Sequence, residues 1–202
     1  VLALCRSLAV NVEPERVSRP DGTAVWVVPL YSWYVTPEEG HGSLFAPKPG
    51  EDPSLRMWAD RYYVKWPSQP GSQRAADYFL QMNEAWVQRP YDAPVISFSH
   101  FLPRADLMLR TPFERSRYGN GPRDPYPEFN FSRVAGCSAL DDQLRRIGSS
   151  VHVYGHQHRN RWRSIDGVLY VSNCLGYPHA ADEQESFPRR LWQVWGDRIP
   201  AD

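Results

Sequence analysis

Apolar and polar positions alternate unevenly along the chain, and the regular stretches predict a handful of strands and helices. "TAVWVVPLYSWY", residues 23 to 34, is dominated by β-branched and aromatic side chains and follows the turn residues "RPDG". That pattern predicts a buried strand, which Pro29 ends because it has no N–H to give to the ladder. The opening "VLALCRSLAVNV" is apolar but too short for periodicity to choose between helix and strand. In "SQRAADYFLQMNEAWVQRP", residues 72 to 90, Ala76, Phe79, Leu80, Trp86 and Val87 recur near helical spacing. An amphipathic helix is expected there, with Ser72 able to cap it and Pro90 to stop it. "APVISFSHFLP", residues 93 to 103, reads as a buried strand that enters a loop at His100. "SALDDQLRRIG" reads as a helix capped by Ser138 and closed by Gly148. "SVHVYG", then "GVLYVSN" after the "IDG" turn, then "RRLWQVW" read as three further strands.

Helices alternating with buried strands indicate an α/β class, and successive strands near the end indicate a mixed sheet. The 202 residues suffice for one domain, taken here as 1–202. Two stretches interrupt the pattern, 36–72 and 103–133, both rich in Pro and Gly or Arg. The first also carries Phe45, Trp58, Tyr62, Tyr63 and Trp66, enough apolar area to pack as an ordered loop that either rims a pocket or covers the core.

Composition narrows the partners. Lys plus Arg and Asp plus Glu both total 23, so the net field carries no footprint for nucleic acid or an anionic membrane. The only lysines are Lys48 and Lys65, leaving local anion recognition to arginine. Cys5, Cys137 and Cys174 are odd in number and lack a CxxC pair, which fits a reducing, cytoplasmic setting. No apolar run approaches the roughly 18 residues that span a bilayer. The chain begins at Val1, without methionine and inside an apolar run, so the natural N-terminus is expected to lie upstream.

The histidines carry the chemistry. Val151-His152-Val153-Tyr154 alternates with period two and Gly155 breaks it, placing His156 and His158 in the loop at the strand's C-terminal end. A helical pairing of His152 with His156 is thereby excluded. His100 has a matching context, a strand followed by histidine and "FLP", so two strands each deliver histidine where α/β folds gather ligands. Neutral imidazole suits Zn²⁺, Mn²⁺ or Fe. His41, His152 and His179 are read as solvated or hydrogen-bonded residues.

"SHFLP" and "GHQH", with "LDDQLRRIGSSVHVYGHQHRNRWRSIDGVLYVSNCLGYP" between and beyond, resemble the C-terminal half of calcineurin-like metallophosphoesterases. The resemblance implies a four-layer α/β/β/α sandwich of mixed sheets with a site for two divalent ions (Mn, Fe or Zn) at the strand ends. It implies that His100 and His156 ligate one metal and His158 the other, and that phosphate mono- or diesters are hydrolysed through a metal-bridging hydroxide. The family's D-x-H, G-D-x-x-D and G-N-H-[DE] motifs do not occur in these residues, so no leaving-group histidine can be assigned. The expectation is therefore the second half of such an enzyme, inactive alone, whose partner is the missing N-terminal half and whose substrate is a phosphate ester. The alternative is a non-catalytic remnant or binding module holding at most one metal weakly.

Arg104, after "HFLP", is a candidate phosphoryl contact, or a loop arginine paired with Asp106. Arg159, Arg161 and Arg163 share one strand face, read as a basic stripe or a solvated face, and Tyr31, Trp33 and Tyr34 are candidate pocket walls or packed residues. Half a sandwich should also leave "VISFS", "VHVYG" and residues 1–12 with uncovered edges or apolar faces.

Overall fold

The structure, a computed structural model, describes residues 1–66, 74–112, 115–116, 124, 126–174 and 195. Its frame is a six-stranded mixed sheet. The strands are β1 (Glu15–Ser18), β2 (Ala24–Pro29), β3 (Val95–Phe98), β4 (Ser149–Val153), β5 (Arg161–Ile165) and β6 (Val168–Ser172), arranged β1-β2-β3-β4-β6-β5. Strands β2, β3, β4 and β6 run parallel, while β1 and β5 pair antiparallel at the two margins. Among the described residues the helices are α1 (Leu2–Ser7), α2 (Asp60–Tyr63), α3 (Ala75–Val87) and α4 (Ala139–Arg146).

The expected β2 is confirmed and ends at Pro29. Val28, Leu30, Val95, Leu144, Val168 and Tyr170 join Val87 of α3 in the main core on the helix side. Val25, Ile96, Val151 and Val171 are buried on the opposite face, with Trp162, Leu169 and Trp195 against them. Burial on both faces is the ordinary condition of a parallel sheet and explains the continuous Val/Ile runs. One sheet is present among the described residues, so the α/β class and mixed sheet hold and the second sheet of a four-layer sandwich is not among the described elements.

Several local expectations change. The opening run is helical, and Val1, Leu4, Leu8 and Val10 are exposed there. "VISFS" and "VHVYG" are not edges: they form β3 and β4, the centre of the sheet, with Val95, Ile96 and Val151 buried. The edge strand β1 is exposed throughout. Ser138 precedes α4 without a capping bond, because its hydroxyl donates instead to the carbonyl of Gly42 at 3.2 Å. Gly148 closes α4 at φ 68°, a left-handed turn suited to glycine. Helix α3 starts at Ala75 and ends at Val87; Ser72 and the "RRLWQVW" strand lie outside the described residues, apart from Trp195 of the latter.

Candidate functional site

Parallel strands point their C-terminal ends to one side of a sheet, and the segments leaving β3 and β4 carry His100 and His156 there. Their backbones are tied together: Ser99 N–H donates to Val153 O at 3.0 Å and Gly155 N–H to His100 O at 3.1 Å. The "GHQH" turn is tight. Gln157 N–H reaches back to Gly155 O at 2.8 Å around His156, whose φ is 71°, and His158 follows at φ 52°. Such a γ-turn with positive φ is uncommon for a residue bearing a Cβ, and strained backbone concentrates at functional sites.

The two imidazoles converge. His156 Nδ1 lies 3.2 Å from His100 Nε2, with ring centroids 5.0 Å apart. His156 Nε2 is 2.9 Å from Val134 O, and a carbonyl can only accept, so Nε2 carries the proton and Nδ1 presents its lone pair. His100 Nε2 is then the donor between the rings. Phe101 (4.4 Å), Phe131 (5.1 Å) and Trp58 (5.6 Å, edge-on) surround the His156 ring. Desolvation by these neighbours, with smaller repulsions from His100 and His158, drives the His156 pKa down to about 3 and keeps the ring neutral. Partial desolvation and His158 lower the His100 pKa as well, against the pull of Asp60.

His158 is exposed and close enough for its charge to be felt at both other rings. With the His100 proton moved to its Nδ1, the two facing nitrogens would be a good partial donor set for a divalent ion, the more so because the outer N–H of His156 is held by a carbonyl, as metal-bound histidines are. They do not complete one. Among the described residues no three His, Cys, Asp or Glu side chains are grouped to hold a metal ion.

Other residues singled out in the sequence serve the fold. Arg104 is in the ion-paired arrangement, contacting Asp106 at 2.9 Å and Asp141 at 3.0 Å. Asp141 also accepts from Arg145 Nε at 2.8 Å and from the Tyr170 hydroxyl. The stripe of Arg159, Arg161 and Arg163 lies against a neighbouring loop, with Arg161 buried and Arg159 exposed. These guanidinium groups donate to backbone carbonyls of residues 106 to 109: Arg159 to Met108, Arg161 to Leu107 and Leu109, and Arg163 to Asp106 and Leu109. His152 is fully buried, with Nδ1 2.7 Å from Ser97 Oγ and Nε2 3.1 Å from Ser99 Oγ. The carbonyl of His41 accepts from Arg74, and His179 lies outside the described residues.

Residues 38 to 66 of the first loop contribute a feature that periodicity could not reveal, a cavity of about 470 Å³ beside the histidines. Trp33 and Tyr34 line it as anticipated, whereas Tyr31 packs against Phe79 and Trp86. Trp58 is a wall of this cavity and also the edge-on neighbour of His156.

Comparison with known proteins gives a fold and no family. No family model matches the sequence. No curated protein matches it either. Among solved structures, it is similar to the phosphopantetheinyl hydrolase PptH from Mycobacterium tuberculosis, with a TM-score of 0.53 and 19% identity. The match covers 88% of this chain and 59% of that chain, so this chain spans less than two thirds of its structural neighbour. No helix among the described residues is long and apolar enough to cross a membrane.

Proposed function

We propose that these residues form the histidine-bearing part of a metal-dependent phosphoesterase of the calcineurin-like type, a hydrolase of phosphate esters. The observation that carries the reading is the convergence of His100 Nε2 and His156 Nδ1 beyond adjacent parallel strands, with Val134 O fixing the tautomer. The fold-level likeness to a hydrolase supports it. A divalent ion at the pair would act as a Lewis acid toward a phosphoryl oxygen. His100 and His156 would hold it from one side, with exposed His158 placed for a second ion. Phe101, Phe131 and Trp58 keep the inner imidazole dry and unprotonated, so its lone pair stays available at neutral pH. The remaining ligands belong to motifs absent from these residues, and in this reading a preceding segment supplies them together with the second sheet of a four-layer sandwich.

A second reading, a module holding one weakly bound metal without turnover, is favoured by the lack of a third grouped ligand among the described residues. Upstream coding sequence and the activity of its product separate the two. A longer polypeptide carrying D-x-H, G-D-x-x-D and G-N-H-[DE] ahead of Val1 should hydrolyse bis(p-nitrophenyl) phosphate with Mn²⁺ and lose that activity with His156→Ala. An initiation codon at Val1, and a product that binds zinc without hydrolysing phosphate esters, would establish the module instead.

A further inference from the structure

The cavity beside the histidines has a chemistry of its own. Trp33, Tyr34, Trp58 and Trp66 give it aromatic walls, and Trp33 and Trp66 meet nearly at right angles, 81° with centroids 5.0 Å apart. Two carboxylates, Glu38 and Asp60, line the same space, and among the described residues neither forms an ion pair. Asp60 is held in place by the indole N–H of Trp58 at 3.1 Å. Arg61 is the cation in the lining, and its guanidinium donates to the carbonyl of Ser54. The negative charge of both carboxylates is felt at Tyr34, whose pKa is pushed up to about 12, chiefly by burial.

A corner of aromatic faces with surplus negative charge selects among ligands. An anion would face both carboxylates. A flat base wants two parallel ring faces, but the Trp33–Trp66 corner is open at a right angle and Phe129 stacks on Trp58 at an interplanar angle of 17°. A bare metal ion or a compact ammonium is too strongly hydrated to exchange water for ring faces. A bulky, weakly hydrated cation suits both elements, because ring quadrupoles and distant carboxylates attract it without demanding directed hydrogen bonds. We propose that this cavity binds an organic cation of the quaternary-ammonium type. Because Trp58 borders both the cavity and His156, the cation would be one end of a substrate whose ester lies at the histidines. That coupling rests on the phosphoesterase reading, whereas the cation site rests on the cavity alone.

The test uses the 202-residue chain with choline and its uncharged carbon isostere, dimethylbutanol, followed by tryptophan fluorescence and calorimetry in the presence of EDTA. Choline should bind saturably and at least about tenfold more tightly than dimethylbutanol. Asp60→Asn and Glu38→Gln should each weaken choline several-fold and leave dimethylbutanol unchanged. Equal affinity for the two compounds, or no saturable choline binding, overturns the proposal, and the unaltered protein alone decides this if a variant fails to fold. A separate zinc titration without EDTA keeps the two readings apart: choline binding with no zinc binding at His100 and His156 would keep the cation site and sink the phosphoesterase reading. Zinc binding without choline binding would do the reverse.

Discussion

The carbonyl of Val134 accepts the Nε2 proton of His156 at 2.9 Å, and this contact decides which nitrogen His156 offers to His100. Val134 ends the short 3₁₀ segment Phe131–Val134, whose Arg133 is buried and paired with Glu51 at 2.9 Å and Glu39 at 2.6 Å. An ionic clamp one residue away thus steadies the acceptor that orients the imidazole.

Zinc titrated into the chain at neutral pH should report a weak site, since two nitrogens are less than a full coordination sphere. His100→Ala and His156→Ala should each weaken it at least about tenfold, and His41→Ala should leave it intact. Calorimetry with all three variants checks this; retention of the site in His156→Ala would mean that the pair does not bind the metal.

Folding stability should fall on mild acidification because of His152. Burial lowers its pKa to about 3, whereas an unfolded histidine titrates near 6.5. Below about pH 6.5 the unfolded chain therefore binds the extra proton first, and stability declines by up to roughly 1.4 kcal/mol per pH unit for this group. The contribution is fully present above pH ~6.5 and is lost as pH falls toward 3. Urea midpoints measured between neutral pH and about pH 5 should show this slope, and His152→Gln should flatten it. An unchanged slope in that variant would assign the effect to other groups.

Gly136→Ala should be severely destabilising. A Cβ there would lie 2.0 Å from Leu102 O and 2.9 Å from Leu102 N, backbone atoms that are themselves bonded to Ala135 and Cys137. The expected loss is about 3 kcal/mol or more, the upper end of overpacking effects. Gly22→Ala is the control: nothing lies within 4 Å of its Cβ and only its φ of 84° is unfavourable, so about 1 kcal/mol is expected. Thermal melts of the two variants should differ plainly.

Loss of the Asp141 carboxylate should cost about 3 kcal/mol, because Arg104, Arg145 and the Tyr170 hydroxyl all converge on this mostly buried group. Tyr170→Phe removes one partner and should cost about 1 to 2 kcal/mol. Denaturant unfolding of Asp141→Ala and Tyr170→Phe tests the order; near-equal values would contradict a hub at Asp141.

The sequence made some of this legible and hid the rest for identifiable reasons. Strand–histidine–loop placement located His100 and His156 because a buried-strand stretch runs into a loop at His100 and period-two alternation breaks at Gly155. Alternation also showed that Arg159, Arg161 and Arg163 share a face, but it cannot say what that face meets; the carbonyls of residues 106 to 109 come from a distant loop. Nor could it rank strands by position in the sheet, since β3 is flanked by β2 and β4 from far apart in the chain. Ser138 looked like a cap until the carbonyl of Gly42 competed for its hydroxyl. Of the aromatic cavity, Trp33 and Tyr34 were legible as candidate walls and the loop as a candidate rim, but its lining from Glu38 to Trp66 was not, because residues 36 to 66 have no period to read.

Strands β3 and β4 pair in register at Phe98 and Val153, and the two histidines leave the sheet from these neighbouring rails. The ring separation of 5.0 Å nearly repeats the roughly 4.8 Å pitch between hydrogen-bonded strands. A ligand arriving there meets a jaw already set by the sheet. Its association should then be timed by encounter and loss of water, and differences in how long it stays should come from departure alone.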